Sequence, residues 1–246
     1  MIGRHQVLEA LRAGRRLNRV MVAETAHGPA PEEIVRLAAE RNVPIHKVTR
    51  ERLDALSDHH QGLVGDAVPY AYADFDEILA SLTTAPPERP PLIVVVDSLQ
   101  DPQNLGTLLR TALAAGASAA ILPERRAVGI TPAVGRASAG AIEHLKISRV
   151  VNLVRALQSL KEHGLWIVGL DGSGRTAYDQ AELTLPLAVV VGAEGDGLGR
   201  LVAQTCDLTV RLPMLGAVDS LNAAVAGSVV LYEALRQRRA AASLSA

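Results

Sequence analysis

Residues 97–112, DSLQDPQNLGTLLRTA, carry side chains that suit the binding of a polar ligand at the start of a helix. The carboxamide of Asn104 can cap a helix or bond a ligand, and Gly106 permits a close approach. Arg110 follows Asn104 by six residues, less than two helical turns, so both side chains could serve one end of a cleft. The alternative is structural, with a capping asparagine and a surface arginine.

A glycine-rich loop lies in residues 189–199, VVVGAEGDGLG, directly after a run of valines. Its glycines alternate with Glu194 and Asp196, so backbone amides and carbonyls can face a ligand without obstruction by side chains. The pattern is neither the dinucleotide fingerprint G-x-G-x-x-G nor a P-loop, since no Lys-Ser or Lys-Thr follows. Taken alone, it is also consistent with a simple glycine turn.

A third polar loop lies in residues 211–228, RLPMLGAVDSLNAAVAGS, where Ser220 and Asn222 stand at the predicted start of the final helix. Ser220 is therefore also a candidate N-cap. Each of the three loops follows a predicted buried strand, and open parallel sheets bind ligands outside the carboxyl ends of their strands. The loops together thus predict one site. The competing D-G-S-G at 171–174 is interpreted as a turn, because no apolar helical period follows it.

Strands that alternate with helices predict an α/β fold with a mostly parallel sheet covered on both faces. The predicted strands of this sheet are LIVVVD (92–97), ASAAILP (117–123), 145–150, LWIVGL (165–170), LAVVVG (187–192) and DLTVRLP (207–213). A long, apolar final helix is predicted from Ser220 to about Arg239.

The Pro-dense segment 84–91, TAPPERPP, predicts a stiff linker between two domains. Residues 1–83 form the smaller predicted domain, an α/β sandwich with strands at 17–23, 43–48 and 62–68, and residues 92–246 form the larger one.

Composition excludes several classes of protein. With 48% apolar and 21% charged residues, the chain of 246 residues is neither disordered nor fibrous. The single Cys206 excludes a disulfide framework and is expected to be a small buried residue. No apolar run is long enough for a membrane span, and no signal core is seen, so we expect a soluble cytoplasmic protein. His59 and His60 are expected in a solvated turn.

The net charge of −1 is unsuited to bulk attraction of nucleic acid, but residues 1–20 carry five arginines against the single Glu9. This cluster could contact phosphates or could simply be a solvated helix end. Aromatic residues make up only 2% of the chain, which argues against a surface that stacks several bases.

Three segments resemble, in order and spacing, the three motifs of the SpoU (TrmH) family of RNA ribose 2′-O-methyltransferases, which belongs to the SPOUT superfamily. The segments are NLGTLLRTALAAGA (104–117), VVVGAEGDGLG (189–199) and RLPMLGAVDSLNAAVA (211–226). The opening IGRHQVLEAL (2–11) is similar to the start of the family's L30e-like substrate-binding domain. The layout is most similar to the bacterial members that methylate a guanosine ribose in 23S ribosomal RNA. One departure is SLNAAVA where the family often has SLNVSVA, which removes one serine.

The resemblance implies a fold and a set of partners. The larger domain is expected to thread a C-terminal trefoil knot, to bind S-adenosylmethionine there largely through backbone, and to form a homodimer through the knot region. Gly192, Leu212 and Leu221 match the positions that bind this cofactor. RNA is the expected substrate, and neither a metal nor a membrane is implied.

The catalytic residues implied by the resemblance are Arg110, Asn104, Glu194, Ser220 and Asn222. A guanidinium has a pKa above about 12, so we expect Arg110 to clamp an RNA phosphate and stabilise the developing alkoxide. Direct proton abstraction by Arg110 stays open. Glu194 is expected to pair with Arg110 or orient it, while the two asparagines position the arginine or the ribose.

Other functions are consistent with the same residues. A tRNA ribose 2′-O-methyltransferase is the nearest alternative, and resistance-type methylation of ribosomal RNA is another. A non-catalytic RNA-binding protein of ribosome assembly would share the fold, but the intact set of five polar residues favours an enzyme. The dedicated first domain favours a ribosomal RNA substrate.

Overall fold

A computed structural model describes residues 1–84, 86, 88–195 and 197–244. Ala85 and Pro87 of the predicted linker, Asp196 of the glycine-rich loop and residues 245–246 lie outside the described residues. The helices are α1 (Arg4–Arg12), α2 (Pro29–Glu40), α3 (Arg50–Asp54), α4 (Phe75–Leu82), α5 (Pro102–Ala114), α6 (Pro132–Ala137), α7 (Leu153–Glu162), α8 (Arg200–Thr205) and α9 (Ala223–Leu244). The strands are β1 (Leu17–Ala23), β2 (Ile45–Val48), β3 (Leu63–Ala67), β4 (Leu92–Val96), β5 (Ala119–Pro123), β6 (Lys146–Val150), β7 (Trp166–Leu170), β8 (Thr176–Ala177), β9 (Leu187–Val191) and β10 (Leu208–Arg211). In the part of the chain that the structure describes, no helix has the length and apolar character required to cross a membrane.

The N-terminal region folds into a small α/β unit around a three-stranded sheet. Strand β1 lies in the middle, parallel to β2 and antiparallel to β3. The apolar face of α1 packs with α2 and the sheet in one core that includes Val7, Leu11, Val20, Ile34 and Leu63. The predicted small α/β unit is thus seen in the structure.

The larger region is built on a seven-stranded sheet in the order β6-β5-β4-β9-β7-β10-β8, with every pairing parallel. Its central strands β4 and β9 are buried along their whole length, because both of their faces are apolar. One face packs against α5 and α9, and the other packs against α4 and α7. The predicted fold class is confirmed, whereas the trefoil knot stays a prediction.

Helix α4 differs from the sequence-based expectation in two ways. Its eight residues were not predicted as a helix, although Asp74 caps them by accepting a hydrogen bond from the Asp76 N–H at 2.8 Å. Its buried residues Ile78 and Leu79 join the core of the larger sheet rather than that of the small unit. The part of residues 1–83 that packs as the small unit therefore ends before α4.

The two regions meet through a buried polar contact. Arg15 of the small unit forms an ion pair with Glu143 at 2.6 Å, and the side chain of Glu143 is only 4% exposed. The Arg15 guanidinium also lies over the ring of Tyr70, whose hydroxyl donates to the Ile142 carbonyl at 3.0 Å. Burial raises the pKa of Glu143, and the charge of Arg15 opposes that rise. The contact holds the small unit against the loop that precedes β6.

The expectation of a solvated His59–His60 turn is wrong for His60. His60 is 1% exposed, and its Nε2 lies 2.7 Å from Oδ1 of Asp54. Its Nδ1 accepts a hydrogen bond from the Gly62 N–H at 2.8 Å, so the proton is on Nε2, which donates to Asp54. His60 therefore fixes the loop between α3 and β3, while His59 is exposed.

Candidate active site

The predicted ligand edge of the larger sheet carries a cavity of about 250 Å³. The cavity lies at the carboxyl ends of β7 and β9, beside β4, where the strand order reverses. It is lined by residues 170–172, by the glycine-rich loop and by the segment from Leu212 to Ala226. Two of the three predicted loops thus line one cavity. The remaining loop, 97–112, is connected to it because Asn104 forms hydrogen bonds with Glu194 and Asn222.

Asn222 connects the last helix to this site. Its Oδ1 accepts hydrogen bonds from the backbone N–H groups of Ala224 and Val225 at 3.0 and 3.1 Å, so Asn222 is the N-cap of α9. The candidate N-cap Ser220 does not cap the helix, which begins at Ala223. Because its oxygen is committed to the cap, the amide nitrogen of Asn222 must face the other way, into the polar cluster of the site.

A hydrogen-bonded cluster of three side chains joins the three predicted loops. The Asn222 Nδ2 donates to Oδ1 of Asn104 at 2.7 Å and to Oε1 of Glu194 at 2.5 Å. The Asn104 Nδ2 donates to the same Oε1 at 3.0 Å, and the Ala223 N–H does so at 3.4 Å. Oε2 of Glu194 makes no hydrogen bond with any residue that the structure describes. The cluster therefore holds one carboxylate oxygen and leaves the other available.

Two glycines of the predicted loops are required by close contacts within the protein. A Cβ on Gly192 would collide with the Gly197 carbonyl and would lie 2.8 Å from the Leu198 nitrogen. Ala193 and Gly197 also exchange two backbone hydrogen bonds across this tight loop. A Cβ on Gly106 would meet the backbone of α6, including the Val134 carbonyl at 2.9 Å. The close approach predicted for Gly106 is thus between helices α5 and α6.

The remaining predicted site residues fall into two groups. Ser220, Leu221 and Leu212 line the cavity together with Gly192. Arg110 is exposed and lies outside the cavity lining. The separation of six residues from Asn104 turns Arg110 about 120° away around α5, so the two side chains leave the helix on different sides. Within the described residues, Glu194 bonds the two asparagines and forms no ion pair with Arg110.

Two further aspartates shape the site, and the sequence reasoning did not select them. Asp97 follows β4 and is 7% exposed; its Oδ2 accepts the Gly199 N–H at 2.7 Å, which anchors the end of the glycine-rich loop. Asp171 follows β7 and lines the cavity. The turn predicted at 171–174 is present, because Oδ1 of Asp171 accepts from Ser173 N–H at 2.8 Å. Both aspartates could have been selected from the sequence, because each comes at the end of a predicted buried strand or directly after it.

The cavity has an acidic lining. Asp171, Glu194 and Asp219 contribute carboxylates, and no lysine or arginine is among the described lining residues. The hydroxyl of Ser173, which donates to Asp171 at 2.6 Å, lowers the pKa of that carboxyl. Such a lining suits a ligand that carries positive charge. Among the described residues, no group of three or more His, Cys, Asp or Glu side chains is placed to hold a metal ion.

Cys206 lies near the site but has no features of a nucleophile. Burial raises the pKa of the Cys206 thiol to about 12. Its Sγ lies 3.3 Å from the Val202 carbonyl, and a Cβ on Gly169 would approach it within 2.7 Å. It is half-buried and fills space beside β7, close to the packing role expected from the sequence.

Comparison with family profiles accounts for both regions. The profile of the SpoU rRNA Methylase family matches residues 91–232. The profile for RNA 2′-O ribose methyltransferase substrate binding matches residues 1–73.

Individual proteins similar to this chain include one sequence relative and two solved structures. YacO of Bacillus subtilis (strain 168), described as a TrmH family tRNA/rRNA methyltransferase, is 41% identical over 239 residues, covering 97% of this chain and 95% of the relative. An AdoMet-bound rRNA methyltransferase from Sinorhizobium meliloti superposes with a TM-score of 0.80 and 26% identity, covering 96% of this chain and 86% of that one. A TrmH/SpoU tRNA modifying enzyme from A. aeolicus has a TM-score of 0.57 and 27% identity, covering 70% of this chain and 87% of that one.

Proposed function

This chain belongs to the SpoU/TrmH family of RNA ribose 2′-O-methyltransferases, and from that premise we propose that it methylates a guanosine ribose in 23S ribosomal RNA. The similar structure described as an rRNA methyltransferase covers 96% of this chain, whereas the similar tRNA-modifying enzyme covers only 70%. The match of residues 1–73 to the substrate-binding profile supports the ribosomal substrate over tRNA, because a dedicated substrate domain suits a folded RNA target.

The observation that carries the proposal is the Asn104–Glu194–Asn222 cluster beside a cavity lined by carboxylates. S-adenosylmethionine bears a sulfonium and an ammonium against one carboxylate, so its net charge is positive and fits this lining. The backbone of the tight loop at Gly192, together with Leu212 and Leu221, would hold the cofactor. Bound there, the cofactor would supply the methyl group.

Within the proposed site, Glu194 and the two asparagines act on the ribose. Oε1 of Glu194 is held by both carboxamides, which leaves Oε2 to accept a hydrogen bond from a hydroxyl. Asn104 and Asn222 keep that carboxylate in place, and Ser220 stands at the exposed rim of the cavity, where its hydroxyl can bond the incoming RNA. These residues orient the 2′-hydroxyl for in-line attack on the methyl group.

We assign Arg110 to the RNA. Its guanidinium is exposed and makes no hydrogen bond or ion pair with the described residues, so it is free to clamp a phosphate and to stabilise the developing alkoxide. Direct abstraction of the hydroxyl proton is the alternative role, although a guanidinium pKa above about 12 disfavours it.

We further propose a homodimer through the surface around the start of α9. Leu215, Val218, Leu221, Val225 and Tyr232 are large apolar residues that are 40–98% exposed on this surface. Several large apolar residues exposed within one segment, here 215–232, suit an interaction site. Light scattering at micromolar concentration should give twice the 26.0 kDa mass of the chain, and a monomer mass would contradict the dimer.

The experiment that tests the methylation site is 2′-O-methyl mapping of RNA from a deletion strain. Loss of one guanosine methylation in 23S ribosomal RNA, restored by the gene, is the expected result. Loss in tRNA alone would identify the tRNA alternative. Calorimetric titration with S-adenosylmethionine should give the same affinity with and without excess chelator, and binding that disappears on chelation would contradict the metal-free site.

A further inference from the structure

A second cavity, of about 610 Å³, lies in the small unit, away from the proposed catalytic site. It is enclosed by the starts of α1 and α3, the end of β1 and the loop before β3. Arg4, Arg50 and His5 contribute the ionisable side chains of its lining, and no carboxylate is among the described lining residues. Leu8, Ala23 and Ala26 supply an apolar wall.

The two arginines of this cavity form no ion pair within the described residues, although the charge of Arg50 acts on the neighbouring Glu51 and lowers the pKa of that carboxyl. Arg4 donates from Nε to the Gln61 carbonyl at 2.9 Å and forms no ion pair in the described part of the chain. Arg50 makes neither a hydrogen bond nor an ion pair with the described residues and is exposed. Other arginines of the unit are engaged: Arg12 pairs with Glu9 and Glu33, Arg15 with Glu143, Arg19 with Asp66, and Arg36 with Glu40. Arg16 and Arg52 likewise form no side-chain hydrogen bond or ion pair with the described residues, but they do not line the cavity, which brings Arg4 and Arg50 together.

The position of these arginines carries an electrostatic cost. Arg4 is the first residue of the nine-residue helix α1, and a cation is disfavoured at that end of a helix. Arg4 and Arg50 also place two positive charges on the walls of one cavity, and the described lining contains no carboxylate that would neutralise them. A bound anion would offset this cost, which indicates the sign of the ligand.

The cavity wall is also preorganised. His60 bonds Asp54 and the Gly62 N–H, so it fixes the loop that presents Gln61. The Gln61 carbonyl in turn orients the guanidinium of Arg4. The volume of about 610 Å³ falls within the roughly 300–1,000 Å³ of pockets that hold whole organic ligands, so it accommodates more than a phosphate.

We propose that this cavity binds one nucleotide of the RNA substrate, with its phosphate between Arg4 and Arg50 and its base against the apolar wall. The identity of the ligand as RNA rests on the proposed function. A free nucleotide presents the same chemistry, and the experiment separates the two sources. Recognition of an unstacked nucleotide in a pocket is a common mode of RNA binding.

The test compares Arg50→Glu with Arg52→Glu. Both residues are exposed on α3, and their side chains form no hydrogen bond or ion pair with the described residues, but only Arg50 lines the cavity. Affinity for protein-free 23S ribosomal RNA is measured by filter binding in parallel with affinity for S-adenosylmethionine. Arg50→Glu should weaken RNA binding by about 10-fold or more, since one charge-assisted contact is lost and a repulsion is added.

Arg52→Glu should change RNA affinity by less than twofold, and both variants should bind S-adenosylmethionine as the unmodified protein does. A neutral Arg50→Gln should lower the slope of log affinity against log salt by about one. Guanosine monophosphate should compete with RNA only at far higher concentration than an RNA fragment does.

Equal RNA affinity of the two charge-reversed variants, in a protein that methylates RNA, would overturn the cavity proposal and leave the proposed function intact. Binding of guanosine monophosphate that depends on Arg50, with RNA binding that does not, would overturn it in favour of a free nucleotide. A protein that binds no RNA at all would overturn both proposals.

Discussion

The two cavities described above differ in the charge of the side chains that line them. The cavity of the larger sheet is formed by strand ends, a tight glycine loop and three carboxylates, with Glu194 held by two carboxamides. The cavity of the small unit is formed by helix starts and by two arginines that form no ion pair within the described residues. The first is lined by carboxylates, one of them held by hydrogen bonds, and the second is lined by guanidinium groups.

The difference matches the charges of the two proposed ligands. S-adenosylmethionine is a small cation, so backbone carbonyls and carboxylates suit it, and a tight loop fixes its position. RNA is a polyanion, so guanidinium groups suit it, and long side chains adapt to a backbone that varies in path. A division of labour follows, in which the larger sheet sets the chemistry and the small unit contributes to the choice of RNA.

The largest expected effect comes from Arg110→Ala, which tests whether Arg110 belongs with the RNA-binding or the cofactor-binding elements. Methylation should fall by about 10²–10³-fold, because a donor that stabilises the developing alkoxide is lost. Affinity for S-adenosylmethionine should stay within a few-fold, since Arg110 lies outside the cofactor cavity. Single-turnover kinetics and calorimetry measure the two quantities separately.

Arg110→Lys sharpens this result, because lysine keeps the charge and loses the planar fork. Little recovery of methylation is expected for a bidentate clamp. If lysine restores most of the rate, charge alone suffices and the clamp is wrong. Turnover of Arg110→Ala near that of the unmodified protein would remove Arg110 from the catalytic set.

Asn222→Asp should have the next largest effect. Aspartate is as good an N-cap as asparagine, so α9 should keep its stability. The lost amide donor and the new charge against Glu194 should lower methylation by about 10–100-fold. Asn222→Ser keeps a cap without the charge, so its methylation rate should lie between that of the unmodified protein and that of Asn222→Asp. Thermal unfolding controls for the cap, and a larger loss in the serine variant than in the aspartate variant would contradict the proposed repulsion.

Gly192→Ala should have the smallest of these effects and should act on the cofactor cavity alone. The added Cβ collides with the Gly197 carbonyl and must open the loop, a strain of about 1–3 kcal/mol that should weaken S-adenosylmethionine binding about 10-fold. Gly216→Ala is the matched control, because its Cβ meets nothing within 4 Å. RNA affinity should be unchanged in both variants. Equal calorimetric affinities of the two variants would remove the loop from the cofactor site.

Local sequence patterns were sufficient to predict the buried strands and the edge where the three loops meet. Runs of β-branched residues such as 92–96 and 187–191 define central parallel strands, and the carboxyl ends of such strands converge. The Asn104–Glu194–Asn222 cluster is consistent with that convergence. Each of the three residues lies in the segment that follows a strand of the larger sheet, namely β4, β9 and β10.

Pairings that depend on distant residues could not be predicted from such patterns. The burial of His60 requires Asp54 and the Gly62 N–H, and the pairing of Arg15 requires Glu143, which lies 128 residues away. Asn222 rather than Ser220 caps α9 because the helix begins at Ala223, and that start depends on the path of the preceding loop. The direction of Arg110 depends on which face of α5 packs against α6 and α9.

The buried Arg15–Glu143 contact has a consequence for how RNA is selected. Because this ion pair and the Tyr70 hydroxyl fasten the small unit to the loop before β6, we expect the span between the second cavity and the Glu194 carboxylate to vary little. With a nucleotide bound as proposed, such a span would act as a ruler: an RNA would be accepted when its folded shape places a ribose and an unstacked nucleotide at that separation. Selection would then read three-dimensional spacing in the RNA, and it would tolerate changes of sequence that preserve that spacing.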